Sequence, residues 1–417
     1  MRFRYQVTFM LSVWLSAFAL LSCSAQNAPA VAHWVGSWAS SQQIPEPANA
    51  LPPDELRDAT LRQIVHLSVG GEELRVHLSN AFGAAPLHID SVHIARPLSP
   101  SSDQIDVATD KALTFAGSFA VVIPAGAEYI SDPINFPVSA LSNLAISFHL
   151  QEPPAQQTGH PGSRATSYVV HGNLVSTATL PNATKVDHWY QIAGVDVAAP
   201  PDAVSIVALG DSITDGHAST TNGNDRWTDD LAERLQGSPA TNEIGVLNAG
   251  IGGNHLLVDG LGPNALARFN RDVLAQTGVR YVVVLEGVND LGGLTRLGVV
   301  PIAAHDALVA HILAAYRQMI LRAHVHGIEV IGGTITPYAG SDYYHPTARD
   351  EQDRNAVNAW IRERGHFDAV IDFDKVMRDP SHPDRLFPRY DSGDHLHPSP
   401  AGYRAMANAI PLSLFHP

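Results

Sequence analysis

Cysteine is almost absent from this sequence. Cys23 is the only one among the 417 residues. A disulfide between two cysteines of one chain is therefore excluded, so the fold depends on packing for its stability, even outside the cytoplasm. Hydrophobic residues make up 45% of the chain and charged residues 16%, a composition that indicates a globular protein.

Basic residues are also few. Lys and Arg together number 26, against 41 Asp and Glu, which gives a formal net charge of -15. No basic run occurs beyond the first few residues. Nucleic-acid binding requires concentrated Lys and Arg to neutralise phosphates, so we do not expect nucleic acid as a partner.

The one long apolar run, residues 7–21, is too short to span a bilayer comfortably. It follows Arg2 and Arg4, and this order predicts a signal peptide over residues 1–25 and an exported protein, either periplasmic, secreted or an outer-membrane lipoprotein. The stretch LLSC resembles a bacterial lipoprotein box, in which Cys23 would be lipidated; ordinary cleavage after Ala25 is the alternative. Membrane contact is expected only through such a lipid anchor.

The length of the chain indicates two domains. Residues 31–198 are predicted to form an all-β sandwich, because apolar and polar residues alternate in short runs broken by Pro, Gly and Asn. Gly70 and Gly71 separate two such runs, which predicts a hairpin. The tract 151–163 is expected to be a long surface loop, and the histidines of the alternating runs, His149 among them, are expected to face solvent.

The pattern changes over residues 202–417, after a short linker at Pro200-Pro201. The stretches AVSIVAL and YVVVL are continuous apolar runs, as in strands buried on both faces. Trp227, Leu231 and Leu235 instead recur four residues apart, which indicates one face of a helix. Alternating strands and helices predict a parallel sheet covered on both faces, with functional residues at the carboxyl ends of its strands.

Ser212 follows the first of these strands, in the stretch VALGDSITDG. Gly210 allows a sharp turn there, and the next residues could begin a helix whose N–H groups point towards the serine. These features fit a nucleophile, but a polar strand-to-helix turn is common in α/β proteins. Thr214 stands where the Gly-x-Ser-x-Gly elbow requires glycine, so that motif is absent.

Two later strands also end in polar loops. The loop NAGIGGN, which contains Gly253, can expose backbone N–H groups to a ligand, although its glycines lack the spacing of a dinucleotide-binding loop. Asn289 follows the strand YVVVL, where its amide either donates into a cleft or only forms a turn. Both loops are therefore candidates for ligand binding.

Asp394 and His397 lie three residues apart, just before the last predicted helix. A loop can fold so that this carboxylate orients this imidazole. His395 could replace His397, and the two histidines with Asp391 and Asp394 could bind a metal. Zinc sites usually have three or more such ligands and an open position, so both interpretations stay open at this point.

The four stretches GDSITDG, NAGIGGN, GVND and DHLHP occur in an order that resembles the SGNH hydrolases, the GDSL-type esterases. The resemblance covers residues 202–417 and implies a flavodoxin-like three-layer α/β/α fold. The β region, with GSWASSQ and LRQIVHLSVGG, is more loosely similar to the front domain of a bacterial subgroup related to xylan-associated arylesterases.

The resemblance implies an enzyme that cleaves carboxylic esters through a serine acyl-enzyme. Its catalytic residues would be Ser212, Asp394 and His397, and its oxyanion hole would consist of Ser212, Gly253 and Asn289. No metal or organic cofactor is implied. The expected partner is a small-molecule or polysaccharide ester, such as acetylated carbohydrate; a lysophospholipase, a general arylesterase, an acyl transferase and an inactive carbohydrate-binding protein are the alternatives. Nothing in the sequence indicates an oligomeric state.

Overall fold

A computed structural model of the protein describes residues 32–416. The predicted signal peptide and Cys23 lie outside this range. Within it, no helix combines the length and the apolar character that crossing a membrane requires. Two large hydrophobic cores are present, one built mainly from residues before Pro200 and one from residues after it.

Alternating apolar and polar residues form the strands that precede Pro200, and one 3₁₀ turn, Pro53–Leu56, interrupts them. The strands are β1 (Trp34–Ala39), β2 (Ala59–His66), β3 (Gly71–Ser79), β4 (Leu87–Ile89), β5 (Ser91–Pro97), β6 (Ile105–Ala112), β7 (Val121–Ile123), β8 (Glu128–Ile130), β9 (Ile134–Val138), β10 (Asn143–Leu150), β11 (Gly159–His160), β12 (Ser167–His171), β13 (Thr184–Val186), β14 (Trp189–Tyr190) and β15 (Ile192–Ala198).

Most of these strands form two antiparallel sheets. One has the order β1-β15-β3-β8, with β9 also paired to β3, and the other has the order β13-β12-β2-β10-β5-β6. Leu61 and Val65 of one sheet share a core with Leu74 and Val76 of the other, so the sheets pack face to face. The predicted all-β sandwich is confirmed; we call residues 32–198 the β half.

The predicted hairpin at Gly70 and Gly71 is wrong. The two strands that flank these glycines, β2 and β3, belong to opposite sheets. Strand β2 is already bonded on one edge to β10 and on the other to β12, so it has no free edge for β3. The chain between them crosses from one sheet to the other, because alternation identifies a strand but not its partner.

The tract 151–163 is only partly the surface loop that its composition predicts. Its last residues turn inward, and Thr158, His160 and Ser163 are buried. His149 is also buried, and its ring lies between the carboxylates of Asp58 and Asp90, with 3.0 Å to each. His160 and His149 are buried for the same reason. A histidine can be buried when carboxylates or carbonyls accept hydrogen bonds from its ring nitrogens.

After Pro200 the chain alternates strands with helices; we call residues 202–416 the α/β half. Its strands are β16 (Val204–Gly210), β17 (Ile244–Gly250), β18 (Val279–Leu285), β19 (Glu329–Gly333) and β20 (Ala369–Ile371). Its helices are α1 (Ser212–Asp215), α2 (Trp227–Gln236), α3 (Ala265–Phe269), α4 (Val288–Thr295), α5 (Ile302–Val325), α6 (Ala348–Arg362), α7 (Phe373–Met377) and α8 (Pro400–Ala409), with a π-helical turn at Asn270–Leu274 and a 3₁₀ turn at Leu412–Leu414.

The five strands are parallel and lie in the order β17-β16-β18-β19-β20. This is the flavodoxin order, in which the connections reverse direction beside the first strand. Trp227, Leu231 and Leu235 are fully buried on α2, and Ser399 caps α8 through a bond from the N–H of Gly402. The predicted flavodoxin-like fold is confirmed, and its switch point lies between β16 and β18.

Candidate active site

Ser212 begins the one-turn helix α1 directly after strand β16. Asp211 caps this turn, because its side chain accepts a hydrogen bond from the N–H of Ile213 at 2.9 Å. Gly210 makes room for the turn, since a Cβ there would lie 2.1 Å from Oγ1 of Thr214. The local sequence therefore places Ser212 at the carboxyl end of the sheet, at the switch point where α/β folds bind ligands.

Ser212, His397 and Asp394 form a continuous chain of hydrogen bonds. The hydroxyl of Ser212 donates to Nε2 of His397 over 2.8 Å, and Nδ1–H of the same ring donates to Oδ2 of Asp394 over 2.5 Å. The structure thus brings together three predicted residues, two of which are 185 positions apart in sequence. This is the relative placement of a nucleophile, a general base and an orienting carboxylate.

Asp394 is held in its ionised form. Partial burial raises the pKa of this carboxyl group, but hydrogen bonds from the side chain and backbone of His397 outweigh it, so its pKa falls below the ordinary value. Its Oδ1 atom also accepts from the N–H groups of Leu396 and His397, at 2.9 and 2.8 Å. A fixed, charged carboxylate keeps the imidazole in the tautomer that accepts a proton at Nε2.

All five predicted site residues line one cavity of about 660 Å³, a size typical of ligand pockets. They are Ser212, Gly253, Asn289, Asp394 and His397. Gly253 lies in the loop after β17 with a φ of +68°, a conformation that strains residues with a Cβ. A Cβ there would also lie 2.9 Å from the side chain of Leu261.

The side chain of Asn289 is oriented by two hydrogen bonds. Its Nδ2 donates to the carbonyl of Asn254 over 2.6 Å, and its Oδ1 accepts from the hydroxyl of Tyr344 over 2.5 Å. The amide has a second N–H, which can donate a hydrogen bond to a ligand in the cavity that Asn289 lines. Tyr344 was missed at the sequence level, because nothing in the stretch SDYYHP indicates that a phenol reaches an amide 55 residues earlier.

His217 is a second residue of the site that the sequence motifs did not indicate. Its ring centroid lies 4.0 Å from that of His397, and it lines the same cavity. Arg164 donates to Nδ1 of this ring over 3.0 Å. Partial burial, His397 and Arg164 lower the pKa of His217 to about 4, so the ring is neutral near pH 7. The one sequence feature that points to His217 is its position directly after the stretch GDSITDG.

His395 and His397, which lie in the loop before α8, have separate hydrogen-bond partners. His395 donates from Nδ1 to Oδ2 of Asp391 over 2.6 Å, whereas His397 lies between Asp394 and Ser212. The histidine on Ser212 is therefore His397. The group of possible metal ligands at this site differs from the expected one. The donor atoms here that lie within 4.8 Å of one another belong to His217, Asp394 and His397.

Buried acidic groups lie close to α1, the helical turn that begins with Ser212. Burial, together with the carboxylate of Asp290, raises the pKa of Asp211 to about 7. Burial and the Asp211 carboxylate raise the pKa of Glu286 well above its usual range. Arg268 lies 3.5 Å from Glu286 and donates to the carbonyl of Gly210 over 2.9 Å. The residue before Ser212 is therefore a buried carboxyl group whose protonation changes near neutral pH.

Residues 208–405 match the sequence model of the GDSL-like lipase/acylhydrolase family. This part of the chain is therefore similar to that family. The match includes Ser212, Gly253, Asn289, Asp394 and His397, and it supports a hydrolase. A comparison with curated proteins found no match.

The following solved structures are similar to this chain, and each covers about half of it. A protein described as lipolytic and of the G-D-S-L family, from Desulfitobacterium hafniense, is 24% identical, covers 49% of this chain and 97% of its own, and has a TM-score of 0.37. The acetyl xylan esterase AlAXEase is 22% identical, with the same two coverages and TM-score. An acetyl xylan esterase from Geobacillus stearothermophilus is 22% identical, covers 51% of this chain and 93% of its own, and has a TM-score of 0.36.

Proposed function

We propose that this protein is a serine esterase that hydrolyses short-chain carboxylic esters, in particular acetyl or other acyl groups on carbohydrate. The observation that carries the proposal is the bonded chain Ser212–His397–Asp394, which opens onto a cavity shared with Gly253 and Asn289. Nucleophile, base and oxyanion donors in one pocket are what acyl transfer requires.

In the first step, Oγ of Ser212 attacks the ester carbonyl carbon and its proton passes to Nε2 of His397. The carbonyl oxygen becomes an oxyanion, which the N–H groups of Ser212 and Gly253 and the amide of Asn289 stabilise. His397 then gives its proton to the alkoxide oxygen as the carbon–oxygen bond breaks. The alcohol leaves, and the acyl group stays on Ser212.

In the second step, water attacks the acyl carbon and passes one proton to His397. The tetrahedral intermediate collapses, the acid leaves, and His397 returns the proton to Oγ of Ser212. Asp394 stabilises the imidazolium in both steps without taking a proton itself. No step needs a metal or an organic cofactor.

The mouth of the cavity supports a carbohydrate ester as substrate. Tyr343 lines it with 53% of its surface exposed, and the guanidinium of Arg296 lies 3.9 Å from its ring centroid. Ser341 and Asp342 line the same cavity and offer hydrogen-bonding groups. An exposed aromatic ring next to polar side chains suits a sugar, which has apolar C–H faces and hydroxyl edges.

A general arylesterase or a lysophospholipase is the second candidate. Leu261 lines the same cavity and is 46% exposed, so the mouth also offers apolar surface to an aromatic or acyl group. The catalytic steps would be unchanged, and only the groups held at the mouth would differ.

The proposal is tested by comparing acetylated xylan, a lysophospholipid and p-nitrophenyl esters of increasing chain length. We expect the highest kcat/KM for acetyl esters and release of acetate from acetylated xylan. A maximum at long chains would instead favour the lysophospholipase. Transfer of acetyl to an added acceptor sugar would indicate a transferase, and no turnover together with tight xylan binding would indicate a binding protein.

Export stays a prediction from residues 1–25.

A further inference from the structure

The β half reaches the turn that carries Ser212 through a buried histidine. His160, on β11, is 4% exposed, and its Nε2 lies 2.8 Å from Oδ1 of Asp215, the last residue of α1. Its Nδ1 lies 2.8 Å from the carbonyl of Ser41. Asp215 is itself buried. The two halves of the chain are therefore joined by a buried polar contact three residues after the nucleophile.

Both neighbours of the His160 ring are acceptors. Nε2 can therefore donate to the carboxylate of Asp215 and Nδ1 to the carbonyl of Ser41. Such a buried polar contact adds little net stability, because desolvating the two groups offsets most of their attraction. The contact lies on the turn that carries Ser212, where a small displacement of the nucleophile changes the reaction rate.

Backbone contacts hold the same turn from both sides. A Cβ on Gly162 of the β half would lie 1.9 Å from Oδ2 of Asp215, and a Cβ on Gly250 of the α/β half would lie 2.3 Å from its backbone nitrogen. Arg226 joins the two halves here, since it donates to the carbonyls of Asp215 and Ser163. A single helical turn has little stability of its own, so these neighbours define its position.

A second contact from the β half reaches the other side of the triad. Arg164 donates to Nδ1 of His217, whose ring lies against His397. The backbone N–H of His217 donates to the carbonyl of Ser212 over 2.9 Å. Arg164 itself has a φ of +48° and accepts at its carbonyl from the N–H of Asn222 over 2.8 Å, so its loop is pinned to the α/β half.

We propose that the β half is part of the catalytic apparatus and that His160 and Arg164 are positioning residues. His160 acts through Asp215 on the turn of Ser212, and Arg164 acts through His217 on the ring of His397. The inference rests on the proposed esterase function. Its physical basis is that displacing a nucleophile or its base by about 1 Å costs up to about 100-fold in rate.

The test uses the full chain with His160→Gln and Arg164→Met. We expect each variant to lower kcat for p-nitrophenyl acetate by about tenfold or more, with KM nearly unchanged, because the reacting groups and not the binding surface are displaced. The labelling rate of Ser212 by a fluorophosphonate should fall by the same factor. Arg164→Lys, which retains a donor, should restore part of the rate.

The matched control is His149→Gln. His149 is also a buried histidine of the β half, 3% exposed and bonded to two carboxylates, so its loss should destabilise the fold as much as that of His160. Its kcat should equal that of the wild type at a temperature where every variant is folded. Arg96→Met, which removes a guanidinium that donates to the carbonyl of Pro137, is the control for Arg164.

A double variant tests the route of the effect. If His160 acts through Asp215, then His160→Gln combined with Asp215→Asn should be no slower than the slower single variant. An unchanged kcat in His160→Gln and Arg164→Met, with only a lower Tm, would overturn the positioning role and leave the esterase intact. A wild-type protein that neither hydrolyses esters nor reacts with the fluorophosphonate would overturn the proposed function, and this inference with it.

Discussion

Nε2 of His397 lies 2.8 Å from Oγ of Ser212, although His397 lies in the loop between α7 and α8 and Ser212 begins α1, directly after β16. Sheet topology explains the contact. The loops that carry both residues leave the carboxyl side of the parallel sheet, where connections from distant parts of the sequence converge. The proposed chemistry depends on this one distance.

Replacing Ser212 removes the proposed nucleophile without removing volume from the core. We expect Ser212→Ala to fold with an unchanged circular-dichroism spectrum and to lose at least about 10³-fold in kcat, because no other hydroxyl is bonded to His397 among the described residues. Mass spectrometry should find a fluorophosphonate adduct on Ser212 in the wild type. Ser219→Ala, in the same region of sequence, is the control and should stay active; an adduct elsewhere would reassign the nucleophile.

The carboxylate that orients the general base is identified by comparing two aspartates of one loop. Asp394→Asn should lower kcat by about 10⁴-fold, because an amide there favours the wrong tautomer of His397. Asp391→Asn replaces the oxygen that accepts from the ring of His395 and keeps an oxygen for the N–H groups of Gly393 and His395, so its rate should stay near that of the wild type. Equal losses in the two variants would mean that the loop as a whole, rather than Asp394, is required.

The amide of Asn289 is expected to act mainly in the transition state. Asn289→Ala should lower kcat by about 10²–10³-fold with a smaller change in KM, because the oxyanion forms only as the reaction proceeds. Tyr344→Phe should cause a smaller fall, since it removes the hydroxyl that orients the amide. Tyr338→Phe, on a ring packed edge-on against Tyr344, is the control and should show no such fall.

The raised pKa of Asp211 predicts how stability changes with pH. The folded state raises this pKa from 3.8 to about 7, so the folded state binds the proton more tightly than the unfolded chain does. The stabilisation is complete below about pH 4 and is lost as the pH rises through about 7. Asp211→Asn keeps an oxygen to accept from Ile213, so its Tm should fall less than that of the wild type between about pH 5 and pH 8.

Asp132 provides a control of opposite sign for this titration. Hydrogen bonds from Thr114 and from the N–H of Gly117 lower the pKa of Asp132, so its contribution is lost as the pH falls. Asp132→Asn should therefore leave the fall in Tm above neutral pH unchanged. If Asp132→Asn removes the fall in Tm above neutral pH while Asp211→Asn does not, Asp211 is not the group that titrates.

Chelation tests the metal interpretation. The proposed mechanism routes every proton through His397, so EDTA should leave the rate of ester hydrolysis unchanged. Donor atoms of His217, Asp394 and His397 lie close enough for an ion to bridge them. Loss of activity in EDTA, with recovery on adding Zn²⁺ and no recovery in His217→Gln, would support a metal site there instead.

Much of the α/β half could be predicted from sequence. Continuous apolar runs correspond to the buried parallel strands, and the spacing of Trp227, Leu231 and Leu235 corresponds to the buried face of α2. The order of the four polar stretches predicted a site of Ser212, Gly253, Asn289, Asp394 and His397, and the structure brings these residues into one cavity. Local periodicity and short motifs sufficed because each strand of a parallel sheet ends at the same edge.

Long-range pairing was decided only by the tertiary structure. Alternation identified β2 and β3 as strands but not that they lie in opposite sheets. The composition around His160 predicted a surface loop, yet the ring is buried against Asp215, 55 residues further along the chain. The same holds for Arg164 with His217 and for Tyr344 with Asn289. A sequence records which groups can donate or accept, and only the fold determines which of them meet.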